Sequence, residues 1–104
     1  MNAHPVSARG EAVINTRNAA FMLRPSFAAL VAAEEELGSL FAMVERAAEG
    51  RLKLAEMVAL FWHCHHDVAP DLTRDEFAED IVSTGLAGVT PALKILLAQI
   101  LGAR

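Results

Sequence analysis

The sequence predicts a mostly α-helical α+β fold, in which an N-terminal β-hairpin precedes a compact bundle of four to five short helices. Three observations support this prediction. After Pro25, apolar residues recur with the 3.6-residue period of amphipathic helices. Capping residues and glycines interrupt that pattern at helix-length intervals. Before Pro25, two short apolar-rich runs flank a polar segment that is typical of a turn.

The predicted hairpin pairs Glu11–Ile14 with Ala19–Leu23 across the segment Asn15–Asn18. Asparagine tolerates the left-handed backbone conformations that tight turns require. An isolated hairpin is marginal in water, so this one is expected to pack on the helices. Residues 1–8 are predicted to form a flexible tail, and residues 9–104 a single helical domain that includes the hairpin.

Helix boundaries are predicted from residues that satisfy the free backbone groups at helix ends. Thr73 and Glu76 form a capping box, in which each side chain accepts a hydrogen bond from the other residue's backbone N–H. Thr90 followed by Pro91 predicts a cap and a first turn, because proline fits where no N–H is needed. The predicted helices, with their caps, run from Ser26 to Leu37, Ser39 to Glu49, Leu54 to His66, Thr73 to Thr84 and Thr90 to Gly102.

Helical periodicity also predicts which faces are buried. The apolar stripe of the first helix consists of Phe27, Leu30, Val31 and Leu37. Glu34 falls within this stripe, and we expect it to reach solvent near the helix end or to meet Arg24, because an unpaired buried carboxylate is costly. The fourth helix carries an outward acidic face formed by Asp75, Glu76, Glu79 and Asp80. The simplest interpretation is a solvated face, and the alternative is a docking surface for a basic partner.

The third helix has an apolar arc broad enough to predict a central helix with neighbours on several sides. The centre of the arc is formed by Leu54, Met57, Val58, Phe61, Cys64 and His65. Leu60 and Trp62 lie at its opposite edges. The fifth helix has a similarly wide apolar face, and Ile95 points away from that face. A terminal helix with this much apolar surface is a candidate for binding a partner.

A histidine-rich run, Trp62–Asp67, is the first candidate for chemistry. On a helix, His63 and His66 face outward three residues apart and could share an ion. Tetrahedral zinc needs further converging ligands, which the sequence does not supply. Cys64 is expected to pack in the core, because its neighbouring histidines project elsewhere around the helix. We therefore predict no catalytic residue, no metal site and no cofactor, and no enzymatic function.

Charge and cysteine content narrow the class of partner. The 104-residue chain has a formal net charge of −4 and neither half is basic, so nucleic acid is not an expected partner. A single cysteine is compatible with a reducing compartment. The N-terminal residues lack the pattern of a signal peptide, and no segment approaches the roughly 20 apolar residues of a membrane span. These features predict a cytoplasmic protein without a membrane partner.

An ordered set of helix and glycine signatures resembles a known family. The set comprises Gly10-Glu11-Ala12, Phe27–Glu34, Leu37-Gly38, Leu40, Glu49-Gly50-Arg51-Leu52, the helix from Leu54, Leu72-Thr73 through Phe77, and Gly85-Leu86-Ala87. Over residues 9–102, the chain resembles the small tail assembly chaperones of gene transfer agents and related phages, which are sometimes labelled phage tail tube proteins. It departs from the family pattern at Lys53, where Ser or Thr is expected, and in the run Trp62–His66.

The resemblance implies a role in building a long tail for a gene transfer agent or a prophage. Chaperones of this kind are thought to coat the tape-measure protein before tail-tube subunits polymerise around it. The implied partners are therefore the tape-measure protein and the tail-tube protein. The predicted partner-binding surface consists of Leu60, Trp62, Ile95, Leu97 and Leu101. The sequence leaves the oligomeric state open, a homo-oligomer included.

Three other functions compete with this one. A structural tail component would stay in the particle, with the hairpin adding a strand to a neighbouring tube subunit. A small helical DNA-binding regulator could use a helix-turn-helix, although the acidic charge of the chain opposes it. A metal-dependent enzyme would need more ligands than the histidine run provides.

Overall fold

The computed structural model describes residues 12–66 and 71–102, without the side chain of His66, and this part of the chain forms three short strands and five helices. The strands are β1 (Ala12–Asn15), β2 (Ala20–Leu23) and β3 (His65–His66). The helices are α1 (Phe27–Leu37), α2 (Leu40–Ala48), α3 (Leu54–Cys64), α4 (Arg74–Thr84) and α5 (Leu86–Ile100). The predicted fold of a hairpin followed by helices is therefore confirmed. The predicted tail, residues 1–8, lies outside the described residues.

The hairpin forms because its two strands alternate buried and more exposed side chains. β1 and β2 pair antiparallel, with Asn15 opposite Ala20 at the loop end. The Thr16 N–H donates to the Ala19 carbonyl oxygen across the loop, at 2.8 Å. The buried side chains of the two strands are Ala12, Ile14, Phe21 and Leu23, and β1 packs against α5. The hairpin is thus part of the core, as its marginal isolated stability required.

The predicted end of the third helix at His66 is wrong. α3 ends at Cys64, and the next two residues form β3, which pairs antiparallel with β2 so that His65 lies opposite Leu23. The Arg24 N–H donates to the Cys64 carbonyl oxygen at 2.7 Å and continues this pairing. The sheet order among the described residues is β1-β2-β3. Backbone hydrogen bonds to a distant strand replace the helical ones that another turn would have made.

The predicted start of the fifth helix at Thr90 is also wrong. α5 begins at Leu86, and the Thr90 hydroxyl donates to the Leu86 carbonyl oxygen at 3.0 Å inside the helix instead of capping it. An interior proline such as Pro91 costs about 3 kcal/mol. The added turn fully buries Val89, and burying such a side chain contributes about 1.5–3 kcal/mol. The two effects are similar in size, which explains why the helix extends past its predicted start.

α3 is the central helix, as predicted, because it packs against both α1 and α4. Its buried residues are Met57, Val58, Ala59, Leu60, Phe61 and Cys64. The first residue of its predicted core face, Leu54, is exposed. The predicted stripe of α1 is wrong in part, since Phe27 and Val31 are exposed while Ala33 is buried. The other two members of the stripe, Leu30 and Leu37, are partly buried and pack against the core.

The N-terminus of α3 shows how the chain compensates for Lys53, which lacks an acceptor for a capping hydrogen bond. The Glu56 carboxylate accepts from the Lys53 backbone N–H at 3.0 Å. It also forms an ion pair with Arg46 of α2. The hydrogen bond from the Lys53 backbone and the contact with Arg46 lower the pKa of Glu56. Half of a capping box and a charge pair therefore replace the expected Ser or Thr cap.

Candidate protein-binding surface

Large apolar side chains lie on the surface of several helices. Two of them are phenylalanines, Phe27 with 85% of its surface exposed and Phe41 with 64%. The other exposed large apolar residues among those described are Val31, Leu54, Val82, Leu86 and Leu101. A single exposed apolar residue needs no explanation, but aromatic side chains are disproportionately important in protein–protein interfaces. These residues make protein binding the chemistry that the described surface fits best.

The two exposed phenylalanines are placed by well-capped helix starts. The Ser26 hydroxyl accepts from the Ala29 N–H at 3.1 Å and fixes the first turn of α1, which begins with Phe27. In α2, the Ser39 hydroxyl accepts from the Ala42 N–H, also at 3.1 Å. The capping residues satisfy free backbone donors at both helix starts, so each start is stable without burying its phenylalanine.

Glu34 also stabilises the start of α2. Its Oε2 accepts from the Leu40 N–H at 3.0 Å and so satisfies a further donor at the start of α2. Glu34 is exposed, in agreement with one of the two expectations for it. The capping role was not predicted from the sequence, because the acceptor comes from the preceding helix. The short connection between α1 and α2 was the signal that the Glu34 carboxylate and the Leu40 N–H would be close.

The structure distributes the five predicted partner-binding residues unevenly. Leu60 is fully buried, with 0% of its surface exposed, and therefore belongs to the core. Trp62, Ile95 and Leu97 are partly buried and pack against that core. Leu101, with 55% of its surface exposed, is the member that lies openly on the surface. Ile95 does not point freely into solvent, because neighbouring elements cover part of α5 on that side.

The histidine run is divided among different environments. His63 Nε2 lies 2.8 Å from Oε1 of Glu36, and the side chain of His66, like Asp67, lies outside the described residues. The His65 ring packs against the Trp62 ring at a tilt of 42° and a centroid distance of 4.3 Å, and burial lowers the pKa of His65. Among the described residues, no group of three or more His, Cys, Asp or Glu side chains converges as metal ligands would.

Glu36 joins three helices through charged side chains. Its carboxylate on α1 accepts two hydrogen bonds from Arg74 of α4, at 2.9 and 2.5 Å, and lies against His63 of α3. The hydrogen bonds from Arg74, followed by that from His63, lower the pKa of Glu36 to about 2. The Glu36 carboxylate therefore connects α1, α3 and α4.

Cys64 is buried where its thiol is unreactive. Loss of solvent around the side chain raises the pKa of Cys64 to about 12. The thiolate is the nucleophilic form of cysteine, and burial suppresses it here. The predicted role of Cys64 in core packing agrees with this environment.

Comparison with known protein families assigns the chain to one of them. The family described as phage tail tube protein, GTA-gp10, matches residues 9–103. The chain belongs to this family. Its membership confirms the resemblance predicted from the sequence and implies interaction with other tail proteins. No curated protein and no solved structure matches the chain.

Among the described residues, no single helix is both long and apolar enough to cross a bilayer, and only α4 and α5 taken together, with a bend of 114° between them, reach that length and composition.

Proposed function

We propose that the chain is a tail assembly chaperone of a gene transfer agent or prophage, acting in the cytoplasm without enzymatic activity. Its partners would be the tape-measure protein, the tail-tube protein or both. The observation that carries the proposal is the exposure of Phe27, Phe41 and Leu101 on a chain of a tail-protein family. Exposed apolar side chains would cover apolar helical segments of a tape measure, which aggregate when they are bare.

The small number of exposed large side chains supports reversible binding. Burying three side chains of this kind would contribute at most about 4.5–9 kcal/mol, from about 1.5–3 kcal/mol for each, because Phe41 and Leu101 are already partly covered. Association itself costs an estimated 4–15 kcal/mol in lost translational and rotational freedom. One contact of this kind would therefore be weak, and many copies along a tape measure could be displaced as the tube polymerises. The net charge of −4 would help to keep the coated complex soluble.

Co-expression with the tape-measure protein of the same tail tests the proposal. We expect the two proteins to co-purify, and we expect Phe27→Ser and Leu101→Asp each to reduce the recovered tape measure. Leu86→Ser is the matched control, because it removes another exposed leucine, which lies about 22 Å from Leu101 along the axis of α5. Substitutions at Trp62, Ile95 or Leu97 would be less informative, since these side chains also support the core.

Equal recovery with all three variants would remove Phe27 and Leu101 from the binding surface. If neither the tape measure nor, in a parallel co-expression, the tail-tube protein is recovered with the unchanged protein, the chaperone proposal itself is refuted. Circular dichroism of each variant must match that of the parent chain, so that lost binding is not lost folding.

A structural tail component is the second candidate, and the family description as a tail tube protein favours it. In that case β1, which lies at one edge of the sheet that the described residues form, would offer its outer side to a strand of a neighbouring subunit. Mass spectrometry of purified particles separates the two functions. A chaperone is absent from finished particles, whereas a tube component is present in many copies.

A further inference from the structure

An open apolar groove lies between the N-terminal half of α3 and one face of α4. Its apolar lining consists of Leu54, Ala55, Val58, Ala78 and Val82, and Arg74 and Asp75 complete it. We call it the α3/α4 groove. Leu54 and Val82 are 45% and 48% exposed, so the groove presents apolar side chains to solvent. None of its residues is Phe27, Phe41 or Leu101, so the groove is a separate surface from the one that carries the proposed chaperone function.

The dimensions of the groove fit protein side chains. Its volume of about 270 Å³ is below the roughly 300–1,000 Å³ of typical small-molecule sites. Asp75, Ala78 and Val82 are spaced by three and four residues and therefore share one face of α4. They span about 10 Å along the axis, the same length as the i, i+3 or i+4, and i+7 side chains of a docked helix.

One side of α4 adds a strongly acidic border. Asp75 also lines an adjoining cleft of about 400 Å³ whose described walls are Asn18, Asp75, Glu76, Glu79, Asp80 and Ser83. Four of these six residues are carboxylates, and none is Lys or Arg. The neighbouring cation, Arg74, already donates two hydrogen bonds to Glu36, at 2.9 and 2.5 Å. The charge of Arg74 is therefore already paired with Glu36, and the described walls of the cleft are dominated by carboxylates.

These features identify the occupant by its chemistry. We propose that the α3/α4 groove binds one amphipathic helix of another protein, with an apolar stripe against Leu54 and Val82 and Lys or Arg side chains along the acidic border of α4. A second copy of the chain fits poorly, because each helix among the described residues holds at most one Lys or Arg. The apolar stripe supplies affinity, and the basic flank selects the partner and its orientation.

Designed peptides added to the full-length protein test this inference. The probe is a helical peptide of about 18 residues, above the length at which isolated helices are marginal, with leucines at i, i+4 and i+7 and a lysine flank. One control peptide carries glutamate in place of the lysines, and another carries serine in place of the leucines. We expect the lysine-flanked peptide to bind at least about tenfold more tightly than either control, as measured by calorimetry at low salt.

Variants of the protein locate the contact. Leu54→Ser with Val82→Ser should weaken binding of the lysine-flanked peptide about tenfold, whereas Leu86→Ser should leave it unchanged. Asp75→Asn with Glu79→Gln should reduce the preference for lysine over glutamate, and this reduction should vanish in high salt. Leu54 and Val82 are each about half exposed, so the unfolding midpoint of the variant that replaces both should stay close to that of the parent.

Several outcomes would overturn the inference. Equal binding of the lysine- and glutamate-flanked peptides would show that the acidic border selects nothing. NMR shifts on peptide addition that avoid α3 and α4 would place the contact elsewhere. Concentration-dependent dimerisation that is abolished by the Leu54 and Val82 substitutions would make a second copy the occupant. The co-purification of the tape measure could fail or succeed independently of all three results, because that experiment relies on Phe27 and Leu101.

Discussion

Replacing Glu36 by glutamine should destabilise the protein by an amount that depends on pH. The ordinary pKa of this carboxyl group is 4.5, and hydrogen bonds from Arg74 and His63 lower it to about 2. A difference of about 2.5 units corresponds to about 3.4 kcal/mol at 1.36 kcal/mol per unit. The side chain is 39% exposed, and screening by solvent reduces this figure to roughly 0.5–1 kcal/mol.

The sign of the pH dependence follows from the lowered pKa. A group that is more acidic in the folded state stabilises it fully above its unfolded pKa of 4.5. The contribution disappears as the pH falls toward about 2, where the folded-state carboxylate also becomes protonated. The difference between the parent and Glu36→Gln should therefore be complete at neutral pH and shrink steadily below pH 4.5.

Urea unfolding at a series of pH values, followed by circular dichroism, measures this difference. Glu35→Gln is the matched control, because it removes the same charge from the exposed neighbouring position on α1. It should change the free energy of unfolding by less than about 0.5 kcal/mol. Equal effects of the two substitutions would refute the stabilising role of the contact between Glu36, Arg74 and His63. A Glu36→Gln effect that persists unchanged at low pH would refute it as well.

Three further predictions concern other parts of the structure. Asp80→Ala should lower the free energy of unfolding in urea by about 1–3 kcal/mol, because the Asp80 carboxylate accepts from Thr16 and Asn18 of the hairpin loop. Glu79 is exposed, and Glu79→Ala should lower the same free energy much less. Thr73→Ala should lower the unfolding free energy by about 1 kcal/mol as a lost cap. Cys64 should resist iodoacetamide in the native protein at pH 8, because burial raises its pKa to about 12, and it should react in urea. Mass spectrometry measures the labelling, and rapid labelling of the native protein would contradict the burial of Cys64.

The helix ends that the sequence predicted correctly depend on local chemistry. Ser26, Ser39 and Thr73 each accept a backbone N–H three residues ahead, so the residues that decide the boundary are adjacent in the chain. Gly38 ends α1 with a positive φ of 82°, a conformation that glycine adopts without strain. Interactions over three or four residues are visible in a sequence, and these predictions therefore succeeded.

The errors depend on contacts between distant segments. β3 exists because β2, more than 40 residues earlier, offers it backbone partners, and a two-residue strand has no periodicity to detect. Thr90 and Pro91 had the local signature of a helix start, but burial of Val89 extended the helix upstream. In both cases tertiary packing outweighed a local preference.

The candidate binding surfaces were accessible from the sequence only in part. Apolar periodicity shows that a helix has an apolar face, but not which side chains a neighbour will cover. Leu60 looked like an edge residue and is buried, while Phe27 belonged to a predicted core stripe and is exposed. The α3/α4 groove depends on how two helices are placed relative to each other, so neither helix alone could reveal it.

The contact between the hairpin loop and α4 has a consequence for the order of folding. Thr16 and Asn18 hydrogen-bond to Asp80, more than 60 residues later, and β1 packs against α5 near the end of the chain. Contacts this distant form late, because a long loop must close before they contribute. On a ribosome, the hairpin is synthesised before the α4 and α5 residues that it contacts, so its apolar strands stay without their final packing partners until those helices emerge.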